Sequence, residues 1–190
     1  IYEGTYKPEE FNAGGTSLKD GIAYMTSVGQ DKVRPGDPKY RDINKDGLID
    51  DNDRTVIGCG QPLHTGGFGN TFNFYGFDLN VFFSWSYGND VINANRLYFE
   101  SGLKRHTNQL KSYVNRWSEA RPDSDIPRVV ANGMSVYSSR VIEDGSFLRL
   151  RNITVGYTLP RKVLRKMHFD TMRVYVSGEN LWTLTGYSGP

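Results

Sequence analysis

Residues 77–87 read FDLNVFFSWSY, a run in which apolar and polar side chains alternate. The odd positions from Phe77 to Tyr87 are all apolar or aromatic, and Phe82 is the even position that breaks the alternation. A period of two residues indicates a β-strand with one apolar face, as in a long strand of a soluble sandwich or a strand of a membrane barrel. Eleven residues cross a bilayer when the strand is tilted, and aromatic residues at both ends are typical of the membrane interfaces. Length and aromatic ends favour the barrel.

Three further segments show strand patterns, at residues 68–74, 147–157 and 172–182. Tyr75-Gly76 predicts a tight turn that joins the first of them to residues 77–87 as a hairpin. Within 147–157 the apolar residues change face between Leu150 and Ile153, which predicts a β-bulge near Asn152. We therefore expect two hairpins, at residues 67–87 and 147–182.

The connections between these strands differ in length. Those at 75–76 and 159–171 are short, whereas the segments at 1–66 and 88–146 are long. Short turns at one rim and long loops at the other are typical of an outer-membrane barrel. In the second long loop, apolar residues from Leu110 to Trp117 recur at helical spacing and predict one short helix over Asn108–Ser118.

Residues 42–53, DINKDGLIDDND, have the pattern of a twelve-position calcium loop. Gly47 occupies the position of the sharp turn, and Ile49 supplies the apolar anchor. Asp53 stands where an EF-hand has Glu, and its arm is shorter. The oxygen ligands expected by position are the side chains of Asp42, Asn44, Asp46, Asp50 and Asp53 and the carbonyl of Leu48.

An ordinary acidic turn is the alternative interpretation of this loop, because Asp, Asn and Gly are common in any exposed turn. Five carboxylates in twelve residues, with Lys45 as the one cation, would repel one another unless a cation were bound. The residues Pro35 to Pro38 are incompatible with an entering helix, so the loop is not part of a helix–loop–helix sensor. We expect an isolated loop that holds a structural Ca²⁺.

Composition excludes several classes of function. The chain of 190 residues has a net charge of +2 with interspersed acids and bases, so no nucleic-acid partner is expected. No run of eighteen apolar residues and no signal peptide occur, and we expect that the chain does not begin at a natural start. The single Cys59 cannot form an internal disulfide and is expected to be buried.

No catalytic constellation is recognisable. Glu143 and Asp144 are neighbours on a loop and rarely act on one substrate as a glycosidase pair. His64, His106 and His168 lack the spacing of metal ligands. We do not expect an enzyme.

Five segments follow one another along the chain: the segment from Pro35 into the 42–53 loop and on to Gly58, residues 76–79 (GFDL), 143–150 (EDGSFLRL), 156–160 (GYTLP) and 176–181 (VSGENL). In this order they resemble the C-terminal part of SusC/RagA-type TonB-dependent outer-membrane transporters. The resemblance covers nearly the whole chain. It implies the last fifth or so of a protein with a plug inside a 22-stranded barrel, in the outer membrane of a Gram-negative bacterium.

This resemblance sets the functional expectations. The fold class is all-β, with about four barrel strands, two long extracellular loops and one short loop helix, and residues 183–190 begin a further loop. The implied function is energised import of oligosaccharides or peptides, with a SusD-like surface lipoprotein, the TonB complex and outer-membrane lipid as partners. Four strands cannot close a barrel by themselves. The alternative is a soluble calcium-dependent carbohydrate-binding or adhesion module.

Overall fold

The computed structural model describes residues 1–100, 106–129 and 136–189. It divides into two compact units. The loop unit comprises the described residues of Ile1–Gly58 and Ile92–Glu143 together with Gly189, and the sheet unit comprises Cys59–Val91 and Asp144–Ser188. Among the described residues, no helix has the length and apolarity needed to cross a membrane.

Short elements build the loop unit. Its strands are β1 (Tyr2–Thr5), β2 (Tyr24–Met25), β3 (Pro38–Tyr40) and β4 (Leu48–Ile49). β1 pairs antiparallel with β3, and β2 pairs parallel with β4. A small apolar core forms around Tyr6, Phe11, Leu18 and Val33, all buried, with Ile22, Tyr24 and Val28 packed against it.

Four long strands build the sheet unit. They are β5 (His64–Phe74), β6 (Phe77–Tyr87), β9 (Phe147–Thr158) and β10 (Arg173–Thr185). Between β6 and β9 the chain forms β7 (Asp90–Ile92) and β8 (Ile142–Asp144), which pair with each other. The long strands form an antiparallel meander in the order β10-β9-β6-β5. The predicted all-β class is therefore confirmed, and β5 pairs with β6 and β9 with β10 in an open sheet with β5 and β10 at its edges.

The strand boundaries extend past the predicted ones. β5 begins at His64 because the ladder with β6 continues to the pair His64↔Tyr87. β10 continues to Thr185, which pairs with Phe147. Pairing with a long neighbour extends a strand beyond its alternating pattern, which a single sequence does not reveal.

The bulge predicted near Asn152 is present. In the ladder between β6 and β9, Phe82 pairs with Asn152 and Phe83 pairs with Leu150, so Arg151 is the extra residue. β10 shifts at the same level, between Glu179 and Trp182. The bulge returns Leu148 and Leu150 to the face that carries Ile153 and Val155, as the apolar pattern requires.

The predicted helix at Asn108–Ser118 is wrong in extent and type. The structure has a 3₁₀ helix at Lys111–Asn115, and the backbone is extended at Arg116. Trp117 then donates its N–H to the carbonyl of Ile126 at 2.8 Å, so a long-range backbone contact ends the helix. Among the described residues of this segment, the α-helix is instead α1 (Ala94–Phe99), which begins where the buried Asn93 side chain accepts the Arg96 N–H.

Two further features complete the description. A second short helix, α2 (Arg161–Leu164), lies in the turn between β9 and β10 and continues as a 3₁₀ turn over Arg165–Met167. Cys59 is exposed, which corrects the expectation that it is buried. The N–H of Cys59 donates to the carboxylate of Asp90 at 2.7 Å. This polar contact holds Cys59 at the surface and not in an apolar core.

Candidate functional site

Backbone hydrogen bonds to side-chain carboxylates shape the acidic loop at residues 42–53. The Asp42 carboxylate accepts the N–H of Lys45 at 2.6 Å and the N–H of Gly47 at 2.8 Å. Gly47 has φ of 85°, the left-handed conformation that favours glycine at this position. Asp46 accepts the N–H of Leu48 at 2.8 Å. The first half of the loop thus folds around its own carboxylates, as an Asx turn does.

Asp53 closes the loop from its far end. Its carboxylate accepts the N–H of Ile43 at 2.7 Å and of Asp50 at 2.9 Å, and the side chain is buried. The Asp50 N–H, followed by the N–H groups of Ile43 and Asn44, lowers the pKa of Asp53 against the opposing effect of desolvation. The shorter Asp arm at position 12 therefore reaches backbone donors on both sides of the loop.

The apolar anchor is confirmed. Ile49 is buried, and its carbonyl accepts the N–H of Thr26 at 3.2 Å beside the β2–β4 pairing. This pairing holds positions 7 and 8 of the loop against the rest of the loop unit. The Leu48 carbonyl, the expected backbone ligand, lies within this held segment.

The six residues expected to bind calcium all lie in one loop, and their ligand atoms are oxygens, the type that Ca²⁺ prefers. Within 1–100, 106–129 and 136–189, however, no three His, Cys, Asp or Glu side chains lie together closely enough to hold a metal ion. Asn44 donates to the Asp46 carboxylate at 2.8 Å, and Asn52 donates its N–H to Asp50 at 2.7 Å. The donor chemistry fits calcium, and the ligand set Asp42, Asn44, Asp46, Leu48, Asp50 and Asp53 stays a prediction.

A cleft beside the acidic loop was not foreseen from the sequence. It has a volume of about 940 Å³ and lies in the loop unit, where Asp50, Arg54, Tyr40, Arg41 and Tyr137 contribute to its walls. Arg41 pairs with Glu3 at 2.7 Å, and Arg54 pairs with Asp51 at 2.7 Å. These residues are distant in sequence and come together only in the folded chain, so no local motif predicts the cleft.

One face of the four-stranded sheet is apolar except at Asn70, which pairs with Val81. In the ladder, Leu79 pairs with Phe72 and Val155, and Val81 pairs with Ile153. Val155 in turn pairs with Val176 of β10. Because paired residues project from the same face, the apolar sets of all four strands coincide. This apolar face includes Phe68, Phe72, Phe74, Phe77, Leu79, Val81, Phe83, Trp85, Tyr87, Leu148, Leu150, Ile153, Val155, Tyr157, Val174, Val176, Trp182 and Leu184.

Aromatic residues mark both ends of the apolar face. At the short-turn end, the ring centroids of Phe77 and Tyr157 lie 4.5 Å apart, and those of Phe74 and Tyr75 lie 4.4 Å apart. At the other end, His64 stacks on Tyr87 at 5.2 Å. The arrangement is that of interfacial girdles around an apolar band.

The opposite face is polar, with Phe82 as an exception near its centre. Asn80 donates to Thr71 at 2.9 Å, and Arg173 pairs with Asp78 at 2.5 Å. Phe82 lies across Gly67, where an added Cβ would be 2.7 Å from its ring. The glycines of β5 thus make room for the one aromatic ring that interrupts the polar pattern of β6.

Three of the five residues weighed for catalysis have structural contacts, and the other two lie in left-handed backbone. His64 accepts the indole N–H of Trp85 at 3.1 Å, and His106 and His168 adopt positive φ. Glu143 accepts from Asn93 and Arg96, and Asp144 accepts the Ser146 N–H. These contacts give the named groups roles in strand ends and turns.

No model of a known protein family matches the chain. The chain is 36% identical over 188 residues to TonB-dependent receptor P3 of Formosa agariphila. This match covers 99% of the chain and 17% of the relative. TonB-dependent receptor P26 of the same organism is 35% identical over 155 residues, covering 77% of this chain and 15% of the relative.

Solved structures agree with these relatives. A structure of the RagAB peptide importer in the open-open state matches with a TM-score of 0.67 and 25% identity, covering 99% of this chain and 18% of that chain. A structure of the RagAB peptide transporter matches with a TM-score of 0.63 and 30% identity, covering 70% of this chain and 15% of that chain. The named relatives are receptors and transporters, which confirms the expectation that the chain is not an enzyme.

The chain spans roughly a sixth of the length of the curated relatives it matches, 17% of the first and 15% of the second. The identity extends over the acidic loop and all four long strands, since the first alignment includes 99% of the chain. The ordered motifs, the antiparallel meander and the relatives lead to one assignment. The chain belongs to the SusC/RagA-type TonB-dependent transporters and corresponds to a portion of their barrel.

Proposed function

We propose that the chain forms part of the barrel wall of an outer-membrane, TonB-dependent importer in a Gram-negative bacterium. The observation that carries this proposal is the apolar face that continues across β5, β6, β9 and β10. Its residues on the edge strands β5 and β10 are exposed, with Phe74 at 71% and Val176 at 75%, and those on β6 and β9 are mostly half-buried. Contiguous exposed apolar surface of this extent marks contact with a membrane or another protein.

In this proposal the apolar face contacts lipid and the polar face lines the lumen. The hairpins at 67–87 and 147–182 cross the membrane, and the turns at 75–76 and 159–172 face the periplasm. Residues 1–66 and 88–146 form extracellular loops, and 183–190 begin the next loop. The antiparallel meander with short turns at one end and long segments at the other supports this placement.

The transported substrate is an oligosaccharide or a peptide. The structural neighbours are named peptide transporters, so peptides are the first class to test. A SusD-like surface lipoprotein would cap the extracellular side, and the TonB complex would act through parts of the protein outside this chain. Both partners, the lipoprotein and the TonB complex, are proposed because the chain belongs to this family.

Cell fractionation tests the location. The full-length protein should be recovered in the outer-membrane fraction and should require detergent for extraction. Recovery as a soluble protein would contradict the proposal and favour the alternative, a soluble calcium-dependent carbohydrate-binding or adhesion module. The relatives favour the importer over this alternative, because they are named TonB-dependent receptors.

The acidic loop is proposed to bind a structural Ca²⁺ through Asp42, Asn44, Asp46, Asp50, Asp53 and the Leu48 carbonyl. Each carboxylate oxygen that accepts a backbone N–H retains a lone pair for an ion. The ion would offset the repulsion among the carboxylates and fix the path of a long external loop. A dissociation constant in the range of about 10⁻⁴ to 10⁻³ M, typical of extracellular modules, would suffice.

Calorimetry of the full-length protein tests this site. Asp46→Ala should abolish the heat of calcium binding, whereas the matched control Asp51→Ala should retain it. Asp51 is exposed and pairs with Arg54, and it is outside the expected ligand set. Equal calcium heats for Asp46→Ala and the wild type would identify the segment as an ordinary acidic turn.

A further inference from the structure

The turn between β9 and β10 carries a cluster of cations at one end of the apolar face. Arg161, Lys162, Arg165 and Lys166 are all exposed on α2 and the 3₁₀ turn that follows it. In the described part of the chain, none of the four forms an ion pair with a carboxylate, and Asp170 is the single acid between residues 159 and 172. We call these four residues the basic turn.

The basic turn is held in a defined position. Leu164 is buried at its centre, and its carbonyl accepts the N–H of Phe169 at 3.2 Å. Leu159 donates its N–H to the carbonyl of Met172 at 3.0 Å, which closes the turn at its base. Thr158 donates to the carbonyl of Gly76 at 2.7 Å, so the two short turns lie side by side.

Apolar side chains lie among these cations. Val163 is 44% exposed and Phe169 is 51% exposed. The aromatic end of the apolar face, with Phe77 against Tyr157, comes directly before the turn. An apolar band, then aromatic rings, then cations is the sequence of groups that a membrane interface accommodates.

The opposite end of the sheet has a different charge. Residues 59–64, 87–91, 144–147 and 184–188 contain no Lys or Arg, and they include Asp90 and Asp144. The Ser146 hydroxyl and N–H lower the pKa of Asp144, so this end carries a carboxylate charge at neutral pH. The excess of cations therefore belongs to the short-turn end alone.

We propose that the basic turn binds the phosphate headgroups of anionic phospholipids in the inner leaflet of the outer membrane. This inference rests on the proposed function, which places the short turns at the periplasmic side. Charge complementarity between four unpaired cations and lipid phosphates selects the headgroup, and Val163 and Phe169 supply contact with the acyl boundary. A lysine or arginine near an anionic surface strengthens attraction by about fivefold in binding constant.

A local quenching experiment tests the proposal in the full-length protein. A fluorophore on Val163→Cys, in a background without other cysteines, would report which brominated lipid is next to the turn in reconstituted vesicles. Phosphatidylglycerol and phosphatidylcholine, each with brominated chains, are the two probes. We expect clear preference for phosphatidylglycerol, which falls at least about fivefold in the variant Lys162→Gln/Arg165→Gln/Lys166→Gln.

The matched control neutralises three exposed lysines of the loop unit, Lys19→Gln/Lys32→Gln/Lys111→Gln, and should keep the preference. Equal quenching by both lipids in the labelled protein whose four cations are intact would overturn the proposal while leaving the barrel assignment intact. That result would direct attention to a periplasmic protein or cell-wall anion as the occupant. Quenching by neither lipid would place the turn away from the bilayer and overturn this proposal, whereas the proposed function is tested separately by cell fractionation.

Discussion

The loop unit has buried aromatic side chains in its core, whereas most aromatic side chains on the apolar face of the sheet unit are exposed. Tyr6 and Phe11 are 2% and 4% exposed, while Phe72 and Phe74 are 56% and 71% exposed. Both units use the same residue types in one chain, so composition does not explain the difference. The loop unit forms an apolar core of the kind that the hydrophobic effect stabilises. The sheet unit presents a flat apolar face that is stable only beside an apolar neighbour.

Charged groups differ in the same way. In the loop unit, buried Asp37 pairs with Arg128 at 2.6 Å, and buried Glu100 pairs with Arg140 at 2.6 Å. In the sheet unit, Arg173 and Asp78 pair on the exposed polar face. Removing one partner of a buried pair leaves an uncompensated charge, so the loop unit depends on these long-range pairs. The sheet unit depends mainly on its backbone ladder.

The largest expected effect is the loss of a core ring from the loop unit. Phe11→Ala should cost about 3–5 kcal/mol, the range for a buried Phe replaced by Ala. Phe72→Ala should cost less, because that ring is half exposed and leaves no enclosed cavity. Hydrogen exchange of the backbone amides in the full-length protein measures both. Equal loss of protection around the two sites would remove the distinction between the units.

The next effect concerns the two faces of β6. Val81→Arg should destabilise the barrel by about 2–4 kcal/mol if Val81 lies near the bilayer midplane. Ser84→Arg should have a mild effect, because Ser84 projects from the polar face beside Arg149 and Gly67. Unfolding titrations of the full-length protein in lipid vesicles provide the comparison. Similar costs for the two variants would refute the assignment of the faces.

A smaller effect is expected at the hairpin turn of β5 and β6. Gly76 has φ of 87°, and an added Cβ would lie 2.9 Å from the carbonyl oxygen of Thr158. Gly76→Ala should therefore cost about 1–3 kcal/mol in backbone strain. Gly186→Ala is the control in the same unit, since nothing lies within 4 Å of its added Cβ. Equal stability of the two variants in the same unfolding titrations would contradict this prediction.

The smallest effect is local and depends on pH. The pKa of Asp53 is lowered below 3.8 in the folded chain, chiefly by the Asp50 N–H. A depressed pKa contributes stability that is present above the unfolded value and is lost as the pH falls through the folded value. The protection factors of the Ile43 and Asp50 amides, which correct for the intrinsic pH dependence of exchange, should therefore fall as the pH drops below about 4, the unfolded pKa of Asp, and on through the lower folded pKa of Asp53.

Asp53→Asn should remove this pH dependence, and Asp51→Asn should retain it. Asp51 is exposed on the outside of the loop and accepts no backbone N–H at the loop closure. Protection factors of these amides that are independent of pH in the wild type would show that the Asp53 carboxylate does not hold the loop closed.

The sequence predicted the sheet unit better than the loop unit. Alternation from Phe77 to Tyr87, the Tyr75-Gly76 turn and the shift of apolar face near Asn152 are local patterns, and each has its counterpart in the structure. Backbone pairing turns such local patterns directly into strands, hairpins and a bulge.

The loop unit resisted prediction because distant contacts decide it. The expected helix at 108–118 ends early where Trp117 bonds to Ile126, and α1 was not foreseen because its cap is the buried Asn93. Glu100 meets Arg140 across forty positions of sequence. No local pattern encodes these pairs. In the acidic loop, the spacing predicted the turn and the apolar anchor, whereas its carboxylates also bind backbone N–H groups that the spacing does not reveal.

The central claim is that the apolar face of the sheet contacts lipid. Spin labels placed singly at positions 78–86 of the reconstituted full-length protein would report collisions with dissolved oxygen and with a water-soluble nickel complex. We predict alternation with a period of two residues, in which labels at Leu79, Val81 and Phe83 favour oxygen and labels at Asn80 and Ser84 favour the nickel complex. Uniform accessibility along β6, or preference for the nickel complex at Val81, would contradict the claim.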